Sequence, residues 1–114
     1  MRARIRQAHP DIQVLFSHND PMAEGAYLAA KAAGLERSMK FVGIDGLPIP
    51  SGGIKAVEQG RLSATLIYPT AGKEAVETAK KLLVDCDEVP KTQTLETKLI
   101  TTDNATDVYN DANG

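Results

Sequence analysis

The sequence predicts an α/β fold, a doubly wound and mainly parallel sheet flanked by helices. Three observations predict it. Short apolar runs rich in β-formers alternate with segments of helical periodicity, the predicted strands end in polar or turn-forming residues, and glycine or proline marks several boundaries. At 114 residues the chain fits one small domain with a modest core.

Four polar residues connect the first predicted strand, at 12–17, to a predicted helix over about 21–34: Ser17, His18, Asn19 and Asp20. Serine, histidine and aspartate also form hydrolase triads, but a triad needs groups that converge, usually from distant parts of the chain. Successive strand side chains point to opposite faces, so Ser17 and His18 diverge. Because Asp20 can cap a helix whose first residue is proline, we interpret the segment as a strand-to-helix turn.

The second predicted strand, at 40–44, leads through the loop LPIPSGG at 47–53 into a short helix over about 54–59. The two prolines disfavour helix in this loop, and its two glycines free the backbone. We therefore expect an irregular loop that ends at the N-terminus of the short helix. The exposed N–H groups of that terminus could hold an anion or a hydroxyl group.

A third predicted strand, at 63–68, precedes an amphipathic helix over about 71–84. The helix carries its apolar residues on one face: Ala75, Val76, Ala79, Leu82 and Leu83. Residues 94–102 (TLETKLITT) are predicted to be extended. Residues 103–114 are predicted to form a polar tail with no more than one short turn.

Ligands of open parallel sheets bind outside the carboxyl ends of the strands. Three dipeptides occupy those ends here: Asn19-Asp20, Asp45-Gly46 and Tyr68-Pro69. Their side chains can hydrogen-bond hydroxyl groups or stack on a flat face. The alternative is that they have local roles, as helix caps, turn residues or gap fillers. Spacing alone leaves both interpretations open, and we predict that Asn19, Asp45 and Tyr68 cluster at one sheet edge.

Composition argues against several classes of function. The formal net charge of −2, the scattered 13 Lys and Arg and the absence of Trp give no reason to expect nucleic-acid binding. No apolar run approaches membrane-spanning length, and the first residues lack the apolar core of a signal peptide. Cys86 is the only cysteine, and no Cys/His cluster suggests a metal site, so neither a disulfide nor a cofactor is expected.

Three blocks of the chain closely resemble the C-terminal lobe of periplasmic sugar-binding proteins: HPDIQVLFSHNDPMAEGA, KFVGIDGLP and GGIKAVEQGRLSATLIYPTAGKEAVETAKKLL. These type I receptors are ribose-binding-protein-like and are related to the effector domains of lactose-repressor-type regulators. The similarity extends over residues 9–102 in the family's order. It implies a partial C-terminal sugar-binding lobe at 1–102 followed by the polar tail at 103–114.

The resemblance also implies roles for individual residues. Asn19 matches an asparagine that hydrogen-bonds sugar hydroxyls, and Asp45 matches a carboxylate that accepts from them. Tyr68 stands where the family often has a glutamine contact, a departure that leaves the sugar unspecified. Three neighbours are expected to support these contacts: His18, Asp20 and Gly46. Residues 94–104 resemble the last hinge crossover, returning toward the N-terminal lobe.

Function follows from the same resemblance. It implies the solute-binding subunit of an ABC-type sugar importer, located in the periplasm, with a permease as partner and no bond chemistry. The sugar-sensing domain of a sensor kinase and a repressor effector domain are the alternatives. An enzyme ranks last, because Asp45 has no acidic pair or lysine placed to assist phosphoryl transfer.

The length of the chain shapes the remaining expectations. A receptor of this family is more than twice as long, so we expect a fragment that lacks the N-terminal lobe. A half-site implies weak sugar binding, and an uncovered sheet edge implies self-association.

Overall fold

The computed structural model describes residues 11–114. Eight elements alternate along them: β1 (Val14–Phe16), α1 (Asp20–Lys31), β2 (Lys40–Val42), α2 (Gly53–Glu58), β3 (Thr65–Ile67), α3 (Gly72–Leu83), β4 (Lys98–Ile100) and α4 (Ala105–Asn113). The first seven elements start and end inside the predicted ranges or one residue beyond them. In the loop predicted to be irregular, at 47–53, residues 47–52 contain no helix, and the last residue, Gly53, is the first residue of α2.

The described residues divide into two compact units. The first unit comprises residues 11–67 and 98–114, and the second comprises residues 68–97. The chain therefore leaves the first unit after β3 and returns to it with β4. Every buried residue of the described chain belongs to the first unit, which contains the sheet and the core.

The strands of the first unit are mainly parallel. β1 and β2 pair in parallel, with Val14 opposite Lys40. Backbone hydrogen bonds continue the parallel arrangement from the β2 side to β3: Ser63 N–H donates to Phe41 O at 2.8 Å, Gly43 N–H to Ala64 O at 3.1 Å and Asp45 N–H to Leu66 O at 3.0 Å. β4 pairs with β3 in the antiparallel direction. The carboxyl ends of β1, β2 and β3 consequently point the same way, which confirms the predicted fold class.

The core lies between the sheet and helices α1, α2 and α4. Phe41 of β2 is buried, and its ring packs nearly perpendicular to that of Tyr27, with centroids 5.7 Å apart. Ile54 and Val57 lie three residues apart on α2, so both project from the same face of that helix into the core. The buried apolar set is Ala23, Ala30, Phe41, Ile54, Ala56, Val57, Leu62, Ile100 and Ala105.

The end of the chain differs from the sequence prediction. Residues 105–113 form a nine-residue helix where no more than one short turn was predicted. In α4, Ala105 is buried and Val108 and Tyr109 pack against the core. Lys55 of α2 places its Nζ 4.2 Å from the centroid of the Tyr109 ring. The apolar residues of α4 form only a narrow strip on an otherwise polar helix, which explains why the composition of this segment suggested a polar tail. The domain boundary predicted at residue 102 stays a prediction.

The second unit consists of α3 and the extended segment that follows it. α3 is the amphipathic helix that the sequence predicted, but none of its residues is buried. Val76 is 71% exposed and Leu83 is 75% exposed. A groove of about 410 Å³ runs along α3 inside this unit, lined by Ala75, Leu82, Pro90 and Leu95 among others.

Replacement of Tyr109 tests whether α4 is an integral part of the first unit. We expect Tyr109→Ala to lower the free energy of unfolding by about 2 kcal/mol, since it removes a half-buried aromatic ring and its contact with Lys55. Asn110→Ala is the matched control, because Asn110 is exposed on the same helix. Urea unfolding measures both variants. Equal stability of the two would contradict the packing of α4.

Candidate functional site

The carboxylate of Asp20 connects the loop after β2 with β3. Asp20 is only 3% exposed. Its Oδ2 accepts a hydrogen bond from the Gly46 N–H at 2.8 Å, and its Oδ1 accepts one from the Thr65 hydroxyl at 2.6 Å. Thr65 is a β3 residue, and Gly46 belongs to the loop that follows β2. The first residue of α1 therefore fixes both segments at once.

Two glycines leave room for this carboxylate. A Cβ on Gly43 would lie 2.2 Å from Asp20 Oδ1, and a Cβ on Gly53 would lie 1.9 Å from Oδ2. Any side chain at either position would displace the carboxylate. The Asp20 carboxylate thus lies beside Gly53, the first residue of α2, but no hydrogen bond joins it to an N–H of that helix in the described structure. The anion or hydroxyl group expected at this terminus stays a prediction.

Burial raises the pKa of Asp20 above its ordinary value, and the hydrogen bonds from Thr65 and Gly46 oppose this rise. The negative charges of Asp45 and Glu24 raise the pKa further. The folded state therefore binds this proton more tightly than the unfolded state does. Between the unfolded pKa and the raised folded pKa, the free energy of unfolding consequently falls as pH rises. An ionised Asp20 costs stability, and perturbed carboxyl groups of this kind cluster at functional sites.

Asp45 lies on strained backbone beside this carboxylate. Its φ is 119°, in a region that residues other than glycine rarely adopt, and Gly46 follows with φ 56°. Strain of this kind costs on the order of 1–3 kcal/mol, and it persists only where the surroundings enforce it. Here the Asp45 N–H is bonded to Leu66 O and the Gly46 N–H to Asp20. The Asp45 carboxylate is half-buried and makes no hydrogen bond to another described residue.

Asn19 is the N-cap of α1, a local role that the sequence left open for Asn19 as well as for Asp20. Its backbone is extended, with φ −155° and ψ 165°, and its Oδ1 accepts from the Met22 N–H at 2.8 Å. Asp20 does not cap the helix, because its side chain turns into the interior toward Gly46 and Thr65. The Asn19 Nδ2 donates to no other residue in the described part of the chain, so it can donate to a ligand.

Asn19 and Asp45 are brought together through the hydrogen bond between Asp20 and Gly46. Each of the two candidate ligands is the sequence neighbour of one member of this bonded pair. Tyr68 directly follows β3 but is the first residue of the second unit, where it is 51% exposed. Its part in the site stays a prediction, as do the ligand roles of Asn19 and Asp45.

The remaining polar residues of the strand-to-helix turn do not form a catalytic triad. Ser17 is buried, whereas His18 is exposed and its ring forms a T-shaped pair with that of Phe16, with centroids 5.9 Å apart. Both oxygens of Asp20 are engaged by Gly46 and Thr65. No hydrogen bond joins the side chains of Ser17, His18 and Asp20 in the described structure. The role expected of His18, to support the ligand contacts of Asn19 and Asp45, stays a prediction.

Sequence reasoning missed three residues of this site, namely Gly43, Gly53 and Thr65. Gly43 lies inside the predicted strand at 40–44 and Gly53 ends the loop LPIPSGG, so glycine at both places was a visible signal of close approach. Thr65 gave no such signal, because its partner lies 45 residues away in the chain. Among residues 11–114, no three His, Cys, Asp or Glu side chains are grouped to hold a metal ion.

The chain is similar to sugar-binding receptors. It is 45% identical over 78 residues to the ribose import binding protein RbsB of Escherichia coli (strain K12), which covers 67% of this chain and 25% of that protein. It is 33% identical over 100 residues to the D-allose-binding periplasmic protein of the same strain, covering 84% of this chain and 30% of that protein. No profile of a protein family matches the chain.

A solved structure extends the likeness to nearly the whole chain. The fructose-binding periplasmic domain of a hybrid two-component system superposes with a TM-score of 0.90 at 37% identity, covering 98% of this chain and 37% of that one. The fold is thus that of periplasmic sugar receptors. The chain is homologous to a part of the type I periplasmic sugar-binding proteins, as the three sequence blocks predicted, and it spans about a quarter of the length of the curated ribose-binding relatives. The names of these relatives describe binding proteins and not enzymes.

Replacement of Asp45 by glycine separates stability from binding. Asp45→Gly relieves the strain of a positive φ, so we expect the free energy of unfolding to rise by about 1 kcal/mol after the entropic cost of glycine. The same variant removes the free carboxylate and is expected to abolish ligand binding. Asp45→Asn is the matched control, because asparagine tolerates positive φ but lacks the charge. A drop in stability for Asp45→Gly, measured by thermal unfolding, would contradict the strain.

Proposed function

We propose that the chain provides one side of a monosaccharide site, as the C-terminal lobe of the solute-binding subunit of an ABC-type importer. One observation carries the proposal: the Asp45 carboxylate and the Asn19 amide nitrogen lack partners among the described residues and flank the Asp20–Gly46 hydrogen bond. A carboxylate can accept from two neighbouring hydroxyls, and an amide N–H can donate to a sugar oxygen. Hydrogen bonds to a charged group are worth about 1.5–3 kcal/mol each.

The relatives support this class of ligand. Their names specify ribose, D-allose and fructose, all of them monosaccharides with several adjacent hydroxyl groups. By the family's pattern Tyr68 is the third contact, and its ring can stack on the apolar face of a sugar. Binding without bond chemistry, followed by closure of two lobes, is the corresponding mechanism. The periplasm is the proposed location and a membrane permease the proposed partner; nucleic acid is not a proposed ligand.

A second candidate function is sugar sensing. The likeness to the periplasmic domain of a hybrid two-component system, over 98% of this chain, specifically favours it. None of the helices in residues 11–114 is long and apolar enough to cross a bilayer. A membrane-spanning segment encoded next to this chain in the full gene would favour the sensor, and neighbouring permease genes would favour the importer.

A sugar titration tests the proposed function. We expect the chain to bind D-ribose, D-allose or D-fructose with a millimolar Kd, because the described site contacts only one side of a sugar. Shifts in the amide NMR signals of Asn19, Asp45 and Gly46 are the readout, and Asp45→Asn should remove them. The exposed Glu77→Gln is the matched control, expected to bind like the parent chain. Absence of saturable shifts with any pentose or hexose would contradict the proposal.

Self-association is expected as well, because α3 exposes an apolar face in the second unit. We expect light scattering to give a concentration-dependent mass above that of one chain. The double variant Val76→Lys, Leu83→Lys should restore the mass of a single chain. The control, Lys73→Gln with Glu77→Gln, changes the polar face of the same helix and should leave association intact. A monomeric parent chain at all concentrations would show that the exposed face does not drive association.

A further inference from the structure

We infer that Asp20 is a positioning residue for Asp45, whose carboxylate it holds in place through the backbone of Gly46. The inference rests on the proposed function, because the position of Asp45 matters to a ligand only if this edge binds one. It assigns to Asp20 a task beyond folding, namely to fix the conformation of the loop that presents Asp45.

Two hydrogen bonds donated by the backbone, one on each side, hold the segment around Asp45. On one side the Asp45 N–H donates to Leu66 O at 3.0 Å, and on the other the Gly46 N–H donates to Asp20 Oδ2 at 2.8 Å. Between them the backbone takes positive φ at two successive residues, 119° at Asp45 and 56° at Gly46. Without the bond to Asp20, only one of the two bonds remains, and Asp45 can relax toward negative φ and turn its carboxylate away.

Two other roles that an aspartate at the start of a helix can have, capping the helix and forming an ion pair, do not apply to Asp20. The cap of α1 is Asn19, whose Oδ1 bonds the Met22 N–H. Among the described ion pairs none involves Asp20, and the charges that act on it, those of Asp45 and Glu24, are both negative. What remains is the pair of hydrogen bonds to Gly46 and Thr65, inside a cage that Gly43 and Gly53 leave open.

The two donors differ in a way that an experiment can use. The Gly46 N–H can only donate, whereas the Thr65 hydroxyl can donate or accept. An asparagine at position 20 can therefore accept from Gly46 with its oxygen and donate to Thr65 with its nitrogen. Alanine can do neither. If Asp20 positions the loop, Asp20→Asn should keep the loop and Asp20→Ala should release it.

Amide hydrogen exchange at Gly46, measured by NMR on the 114-residue chain, tests the inference together with the sugar titration. We expect Asp20→Ala to accelerate Gly46 exchange at least about tenfold and to weaken sugar binding about tenfold, in line with the loss of one buried hydrogen bond. Asp20→Asn should stay within about threefold of the parent in both measurements. The rescue by asparagine distinguishes positioning by a hydrogen bond from a requirement for charge.

The matched control is Val57→Ala, a core substitution on α2 that destabilises the fold without touching the loop. It should leave sugar affinity unchanged and accelerate Gly46 exchange no more than exchange of core amides.

If Asp20→Ala fails to fold, Thr65→Val takes its place. Thr65→Val removes one of the two hydrogen bonds that hold the Asp20 carboxylate, so Gly46 exchange must still accelerate. Unchanged Gly46 exchange in Asp20→Ala overturns the inference, and so does unchanged exchange in Thr65→Val if that variant has to be used instead. A loss of sugar affinity in Val57→Ala as large as that in Asp20→Ala also overturns it. If the parent chain binds no sugar, the proposed function fails while the exchange result still decides the positioning role.

Discussion

A buried carboxylate with no cationic partner among the described residues is the constraint on which the loop after β2, the start of α1 and β3 depend. Asp20 begins α1, yet its two oxygens accept from the loop after β2 and from β3. Removal of one partner of a buried hydrogen bond leaves the other unsatisfied, at a cost of about 1–3 kcal/mol. Glycine at 43 and 53 is a consequence of the same constraint, since a Cβ at either position would collide with the carboxylate. One side chain therefore joins the loop, the helix start and the strand.

Two features of this part of the structure lower the stability of the fold, and both lie at or next to Asp45. The ionised Asp20 is disfavoured by burial, and Asp45 occupies strained backbone. The hydrogen bonds from Gly46 and Thr65 offset part of the cost of burying the Asp20 charge. Asp45 follows β2, on the side of the sheet where ligands of parallel sheets bind. Proteins retain local strain of this kind chiefly at functional sites, which is why the edge and not the exposed face of α3 is proposed to bind the sugar.

The sequence predicted the alternation of strands and helices well, because hydrophobic period and turn residues are local signals. It was wrong in one instructive place and left another open. The apolar strip of α4 consists of Ala105, Val108 and Tyr109, too few residues to stand out in a polar segment, and its helix is stabilised by α2. The cap of α1 is Asn19 and not Asp20, because the neighbouring aspartate finds buried donors that only the fold supplies. The dipeptides at the strand ends were readable from the chain; the bond that joins two of them was not.

A crystal structure of the 114-residue chain soaked with D-ribose would show whether Asn19 and Asp45 contact a sugar. We expect a sugar hydroxyl within hydrogen-bond distance of the Asp45 carboxylate, another near the Asn19 amide nitrogen, and an unchanged hydrogen bond between Asp20 and Gly46. A sugar bound elsewhere, for example in the cleft lined by Lys31, Arg37 and Lys40 near the amino end of β2, would contradict this expectation. So would a sugar at the predicted edge that leaves Asp45 without contact.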